Sequence, residues 1–130
     1  MEVVWLDAET VEKLNRVALQ EGERHAPNPG SDLEGALNRP RGYFHYQGVR
    51  SLYELAALYA VALVEAHAFQ DGNKRTALLA IRAFLRANDM DFDYGAYDEE
   101  AAEIMTGIAT GEVVRDDLVE WIRANTTGGT

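Results

Sequence analysis

The chain has 130 residues, of which 22 are acidic and 12 basic, giving a formal net charge of −10, and it has no cysteine. That length suits one domain with a modest core. The missing cysteines exclude disulfides and thiolate metal sites, and the acidic balance opposes direct binding to nucleic acid or an anionic membrane. The opening residues, Met1 to Asp7, carry neither a basic region nor a long apolar run. The longest uncharged stretch, Leu55 to Val64, falls well short of the ~20 residues a membrane span needs. A cytoplasmic protein is expected, with a single domain over 1–125 and a disordered tail over 126–130.

Several segments carry helical start signals. Asp7 can cap a first helix, with Leu6 and Val11 at hydrophobic-staple positions and Val11, Leu14 and Ala18 on one stripe. The run from His25 to Gly30 reads as a loop by its prolines and glycine. Ser31-Asp32-Leu33-Glu34 is a capping box that opens a short helix through about Asn38. Arg41 to Arg50 holds Tyr43, Phe44, Tyr46 and Gly48, a composition that suits a small hairpin or flap. Ser51-Leu52-Tyr53-Glu54 opens a longer helix whose buried face is Leu52, Leu55, Tyr59, Ala62, Leu63 and Ala66.

From Asn73 to about Asn88 the chain is apolar on most sides, the pattern of a central helix surrounded by others. Asp98 can cap a further helix that places Ala101, Ile104, Met105 and Ile108 inward and ends before Gly111. Leu118, Trp121 and Ile122 mark a last one. No run sustains the alternation of a strand, so the fold class is all-α, a bundle of about six helices.

The charge is unevenly spread. Gly72 to Asn88 contains Lys74, Arg75, Arg82 and Arg86 and no acidic residue. A basic segment in an acidic protein suits a small local anion better than a long polyanion. Just before it, His67-Ala68-Phe69-Gln70-Asp71-Gly72-Asn73-Lys74-Arg75-Thr76 joins two predicted helices. Gly72 permits a tight turn, and the free N–H groups and positive dipole end of the next helix make a ready anion site. Lys74 and Arg75 add charge there. Asp71 is a hard oxygen ligand of the kind that holds magnesium beside phosphates. His67 can take a proton near neutral pH. Each residue also has an ordinary reading: a surface histidine, a turn, a helix cap, a solvated first turn. Their conjunction within ten residues supplies the parts for phosphoryl or nucleotidyl transfer.

This string resembles the signature of the Fic superfamily, and its Asn-Lys-Arg-Thr continuation resembles the Doc (death-on-curing) branch. The similarity runs from about Leu6 to Ile122 and includes the segments around Ala36–Pro40 and Ala109–Glu112. The resemblance implies a toxin of a bacterial toxin–antitoxin pair. Its reaction would be phosphate transfer from ATP, with Mg2+, to a Ser or Thr of a translation factor, elongation factor Tu by analogy. His67 would be the general base and Asp71 the metal ligand. Gly72, Asn73, Lys74 and Arg75 would hold phosphates. Tyr43, Phe44, Tyr46 and Gly48 would form the flap that docks the target. AMP-transferring relatives have glycine where this chain has Lys74 and a second arginine where it has Leu78, which favours phosphorylation over AMP transfer. Glu65 stands where a Doc-type toxin carries arginine. A cognate antitoxin would dock in a helix-sized groove beside the motif. The alternatives are nucleotidyl transfer by the same loop and a catalytically idle antitoxin-binding module.

Overall fold

Helices α1 (Ala8–Ala18), α2 (Leu33–Gln47), α3 (Leu52–Ala66), α4 (Asn73–Ala87), α5 (Asp98–Thr110) and α6 (Arg115–Ala124) are joined by one small sheet of β1 (Met90–Phe92) and β2 (Thr126–Gly128). These elements come from a computed structural model that describes residues 2–94 and 98–128, Asp98 by its backbone alone. The all-α class expected from the sequence is therefore the fold. The capping role expected of the Asp98 side chain lies outside the described residues. None of the described helices is long and apolar enough to cross a membrane.

Local chemistry sets most of the helix starts. Asp7 accepts a hydrogen bond from the Thr10 N–H at 2.9 Å, and that bond holds its carboxyl below the usual carboxylate range. Leu6 and Val11 close the staple, both buried. Ser51 caps α3 by accepting from Glu54 N–H. The cap of α2 is Asp32, one residue beyond the expected Ser31, and it accepts from Gly35 N–H at 2.9 Å. Ser31 instead donates its hydroxyl to the Asn28 carbonyl at 2.7 Å.

Two sequence expectations are corrected here. Helix α2 does not stop near Asn38; it continues through a buried Pro40 and ends at Gly48, which takes the left-handed conformation with φ 70°. Tyr43, Phe44 and Tyr46 thus lie in the last turns of a helix, with Gly48 as its cap, and no hairpin or flap forms there. Burial of Ala36, Leu37 and Pro40 on one side of α2 outweighs the one backbone bond that proline removes. Of the tail expected to be unstructured, residues 126–128 form β2, where Thr126 pairs with Phe92 and Gly128 with Met90 in antiparallel register.

Helix α4 is the centre. It packs against α1, α3, α5 and β1, and Ala77, Ala80, Ile81, Phe84 and Leu85 are fully buried. Phe84 meets Tyr59 at 5.0 Å and Trp5 at 6.2 Å between ring centroids. The Tyr59 hydroxyl accepts from Leu6 N–H at 3.0 Å, and its burial raises its pKa. Past the end of α4, Asn88 binds Val4 in both directions, accepting from its N–H at 2.9 Å and donating to its carbonyl at 3.0 Å. The N-terminal extension is tied in this way to the helix that begins at the motif.

Candidate functional site

The loop between α3 and α4 is built from its two ends. Helix α3 stops because His67 enters the left-handed region, φ 47° and ψ 51°, while its N–H still bonds the Leu63 carbonyl. For a non-glycine residue that conformation costs about 1–2 kcal/mol, so other contacts must hold it. Helix α4 starts after Gly72, φ 78°. The left-handed backbone favours glycine here, and a Cβ on Gly72 would press against Asn15 Nδ2 at 3.3 Å and Leu19 Cδ2 at 3.4 Å.

Asn73 ties the two ends together. Its Oδ1 accepts from Phe69 N–H at 3.1 Å and its Nδ2 donates to the Phe69 carbonyl at 2.7 Å. The same Nδ2 lies 3.3 Å from Nδ1 of His67. Phe69 points into the core and is 4 % exposed, the anchor that pins the loop. Asn73→Ala would remove two loop bonds and leave the backbone N–H and one acceptor interaction of a buried residue unmatched. A loss of about 1–3 kcal/mol in unfolding free energy is expected, measurable by denaturant titration. A change near zero would show that the loop holds its shape without Asn73.

The Asp71 backbone and side chain are held separately. Its carbonyl accepts from the fully buried Asn15 at 2.9 Å, and its Oδ2 accepts from Arg24 N–H at 3.0 Å, which leaves Oδ1 for a ligand. Asn15 Nδ2 also donates to the Thr76 hydroxyl at 3.0 Å, so its Oδ1 faces Nδ1 of His25 at 2.7 Å. That assignment makes His25 the donor and places its proton on Nδ1. Among the described residues no group of three or more His, Asp or Glu could hold a metal by itself. A single carboxylate nevertheless fits magnesium that takes its remaining ligands from phosphates and water.

At the start of α4, Thr76 N–H bonds the Gly72 carbonyl at 2.8 Å, so the amides of Asn73, Lys74 and Arg75 precede the first intrahelical bond. Lys74 is exposed at this end. Arg75 is engaged otherwise than the sequence suggests. Its two terminal nitrogens make three bonds of 2.7–2.8 Å to the Glu23 carboxylate and one of 2.8 Å to the Ala18 carbonyl. Both terminal nitrogens of the guanidinium are thus engaged within the protein. Arg75 stands as a strut between α4 and the loop after α1.

His67, Asp71, Gly72, Asn73 and Lys74 are therefore brought to one loop. The proposed docking residues Tyr43, Phe44, Tyr46 and Gly48 are not. Arg39 of α2 pairs with Glu65 at 2.7 Å near the end of α3, whereas Gly48 adjoins the start of α3. The length of α3, 15 residues, or roughly 22 Å at 1.5 Å per residue, separates Gly48 from His67, and Tyr43, Phe44 and Tyr46 lie on the turns of α2 that lead from Arg39 to Gly48. The segment that does lie beside the motif is residues 23–28. Pro27 bridges Phe69, Gln70 N–H bonds the Ala26 carbonyl at 2.9 Å, and Asn28 N–H bonds the Ala68 carbonyl at 2.9 Å. The sequence marks only His25 onward in this stretch, and only as a loop. Glu23, Asn15 and Asn28 carry no spacing signal, because each meets the motif across at least 39 residues.

A groove of about 610 Å³ runs beside the start of α4, walled by Val17 and Ala18 of α1, Leu78 of α4 and Met105 of α5, with Lys74 and Arg75 at its edge.

A model of the Fic/DOC family matches residues 5–85. The protein described as "Protein kinase doc" from Escherichia phage P1 is 35 % identical to this chain over 97 residues, which is 74 % of this chain and 73 % of the phage protein.

Proposed function

This chain belongs to the Fic/DOC family, in its Doc branch, and from that premise we propose that it is a toxin kinase acting on a protein hydroxyl. The donor is the γ-phosphate of ATP and the acceptor a Ser or Thr of a translation factor, elongation factor Tu by analogy. The observation that carries the reading is the loop itself: Asn73 ties an exposed imidazole to the free amide end of α4 within one hydrogen-bonded turn. In this reading His67 takes the proton of the incoming hydroxyl. The amides of Asn73 to Arg75, with Lys74, hold the phosphates. Asp71 Oδ1 would hold Mg2+, which neutralises charge on the phosphates when bound.

The target backbone would approach along residues 26–28, the segment bonded to the backbone of residues 67–70, rather than along the end of α2. A cognate antitoxin would fill the groove between α1, α4 and α5, where it would also cover Lys74.

Lys74 decides between kinase and AMP transferase. Its side chain occupies the place where AMP-transferring relatives have glycine and room for an α-phosphate. Transfer should be assayed on a bacterial extract with ATP labelled separately in its γ- and α-phosphates. The parent should deliver γ-label to protein. Lys74→Gly should lower γ-transfer on the order of tenfold to a hundredfold, the worth of one charged hydrogen bond. Predominant α-label from the parent would overturn the kinase reading in favour of nucleotidyl transfer.

A further inference from the structure

We propose that Asn28 is a positioning residue for His67, an inference that rests on the reading of His67 as the base. Three consecutive carbonyls of the motif meet this one residue. Its Nδ2 donates to His67 O at 2.7 Å and to Phe69 O at 2.8 Å, and its backbone N–H donates to Ala68 O at 2.9 Å. The first carbonyl bound by the side chain belongs to His67 itself, the left-handed residue that ends α3, and the second to Phe69 just beyond it. There the last carbonyls have no intrahelical partner, and the backbone conformation is one that a side chain disfavours. Asn28 supplies both donors at once, which a single amide nitrogen can do and a hydroxyl cannot.

Asn28 is itself fixed from behind. Its carbonyl accepts from Ser31 N–H at 3.2 Å and from the Ser31 hydroxyl at 2.7 Å. Upstream, the Arg75–Glu23 strut, the bond from Arg24 N–H to Asp71 and the bond from His25 to Asn15 tie residues 23–25 to α1 and the motif. The segment 23–28 is thus a clasp along the catalytic loop, and Asn28 is the point at which it grips the residue carrying the imidazole. No side-chain atom of Asn28 bonds the ring, so its effect on transfer runs through the backbone of His67.

The test is a double-mutant cycle on the full chain, with γ-phosphate transfer and thermal melting read for the parent, Asn28→Ala, His67→Ala and the double variant. Asn28→Ala should lower kcat at least tenfold while the KM for ATP stays within twofold. In the His67→Ala background it should cause no further loss. An equal loss in both backgrounds, or an unchanged kcat, would overturn the proposal. If Asn28→Ala melts below the assay temperature, Asn28→Asp decides by the same criteria, because it keeps the shape and removes the donors. An activity-free readout separates this proposal from the base assignment. The chain has three histidines, and Asn28→Ala should shift the imidazole NMR signals of His67 and leave those of His45 in place. Unmoved His67 signals would refute the positioning role whatever the reaction. A fully active His67→Ala with shifted His67 signals would instead refute the base, and the catalytic role of Asn28 with it.

Discussion

His67→Ala should lose about 10²–10⁴-fold in the rate of transfer, the usual worth of a positioned general base, while its affinity for nucleotide changes little. The two parts of this expectation have separate structural origins. The ring is exposed at the end of α3, and its described bond is the long one to Asn73. The proposed phosphate cradle, by contrast, is the amide end of α4 and Lys74, which the substitution leaves in place. Single-turnover transfer with labelled ATP measures the first part and calorimetric titration of a non-hydrolysable analogue the second. His45→Ala, an exposed change near the end of α2, is the matched control. A fully active His67→Ala would remove the proposed mechanism. A large loss of nucleotide affinity would place the imidazole on the phosphates instead of on the acceptor.

Phe84→Ala should destabilise the fold by about 3–5 kcal/mol. The ring is completely buried in the central helix, between Tyr59 of α3 and Trp5 of the N-terminal extension. Deleting it opens a hole where three elements meet, and rigid helices cannot close such a hole by small shifts. A domain of this size has only about 5–15 kcal/mol of stability in all, so the variant should unfold at much lower urea concentration. An effect below about 1 kcal/mol would mean that the packing around α4 is far looser than its burial implies.

How much of this could be read from the chain depends on whether the deciding interaction is local. The starts of α1, α3 and α4 were legible, because a cap or a glycine acts within three residues of itself. The central place of α4 was legible from its all-round apolar surface. The length of α2 was not, since Pro40 and Gly42 signal a break and only burial against α3 carries the helix past them. Strand β2 was not either: three residues are too few to show alternation. The site divides in the same way. His67, Asp71, Gly72, Asn73 and Lys74 could be grouped as a candidate site because they are neighbours in sequence. Asn15, Glu23 and Asn28 were missed because their chemistry appears only once the chain has folded back, and for that same reason Arg75 was given to phosphate when Glu23 already holds it.

The clasp also bears on when the protein becomes active as it leaves the ribosome. Asn28 must wait for His67, and Glu23 for Arg75, separations of 39 and 52 residues, while Val4 waits for Asn88 across 84. Ends that far apart close late, because the entropy of joining them must be met before the contact returns anything. Helix α3 and the motif loop can take shape as soon as they emerge, yet the imidazole stays without its grip until the earlier segment returns to it. A nascent chain halted before α4 could let Asn28 meet His67 but would lack Asn73, Lys74 and Arg75, so the loop's own tie and the Glu23 strut would close only once α4 has emerged.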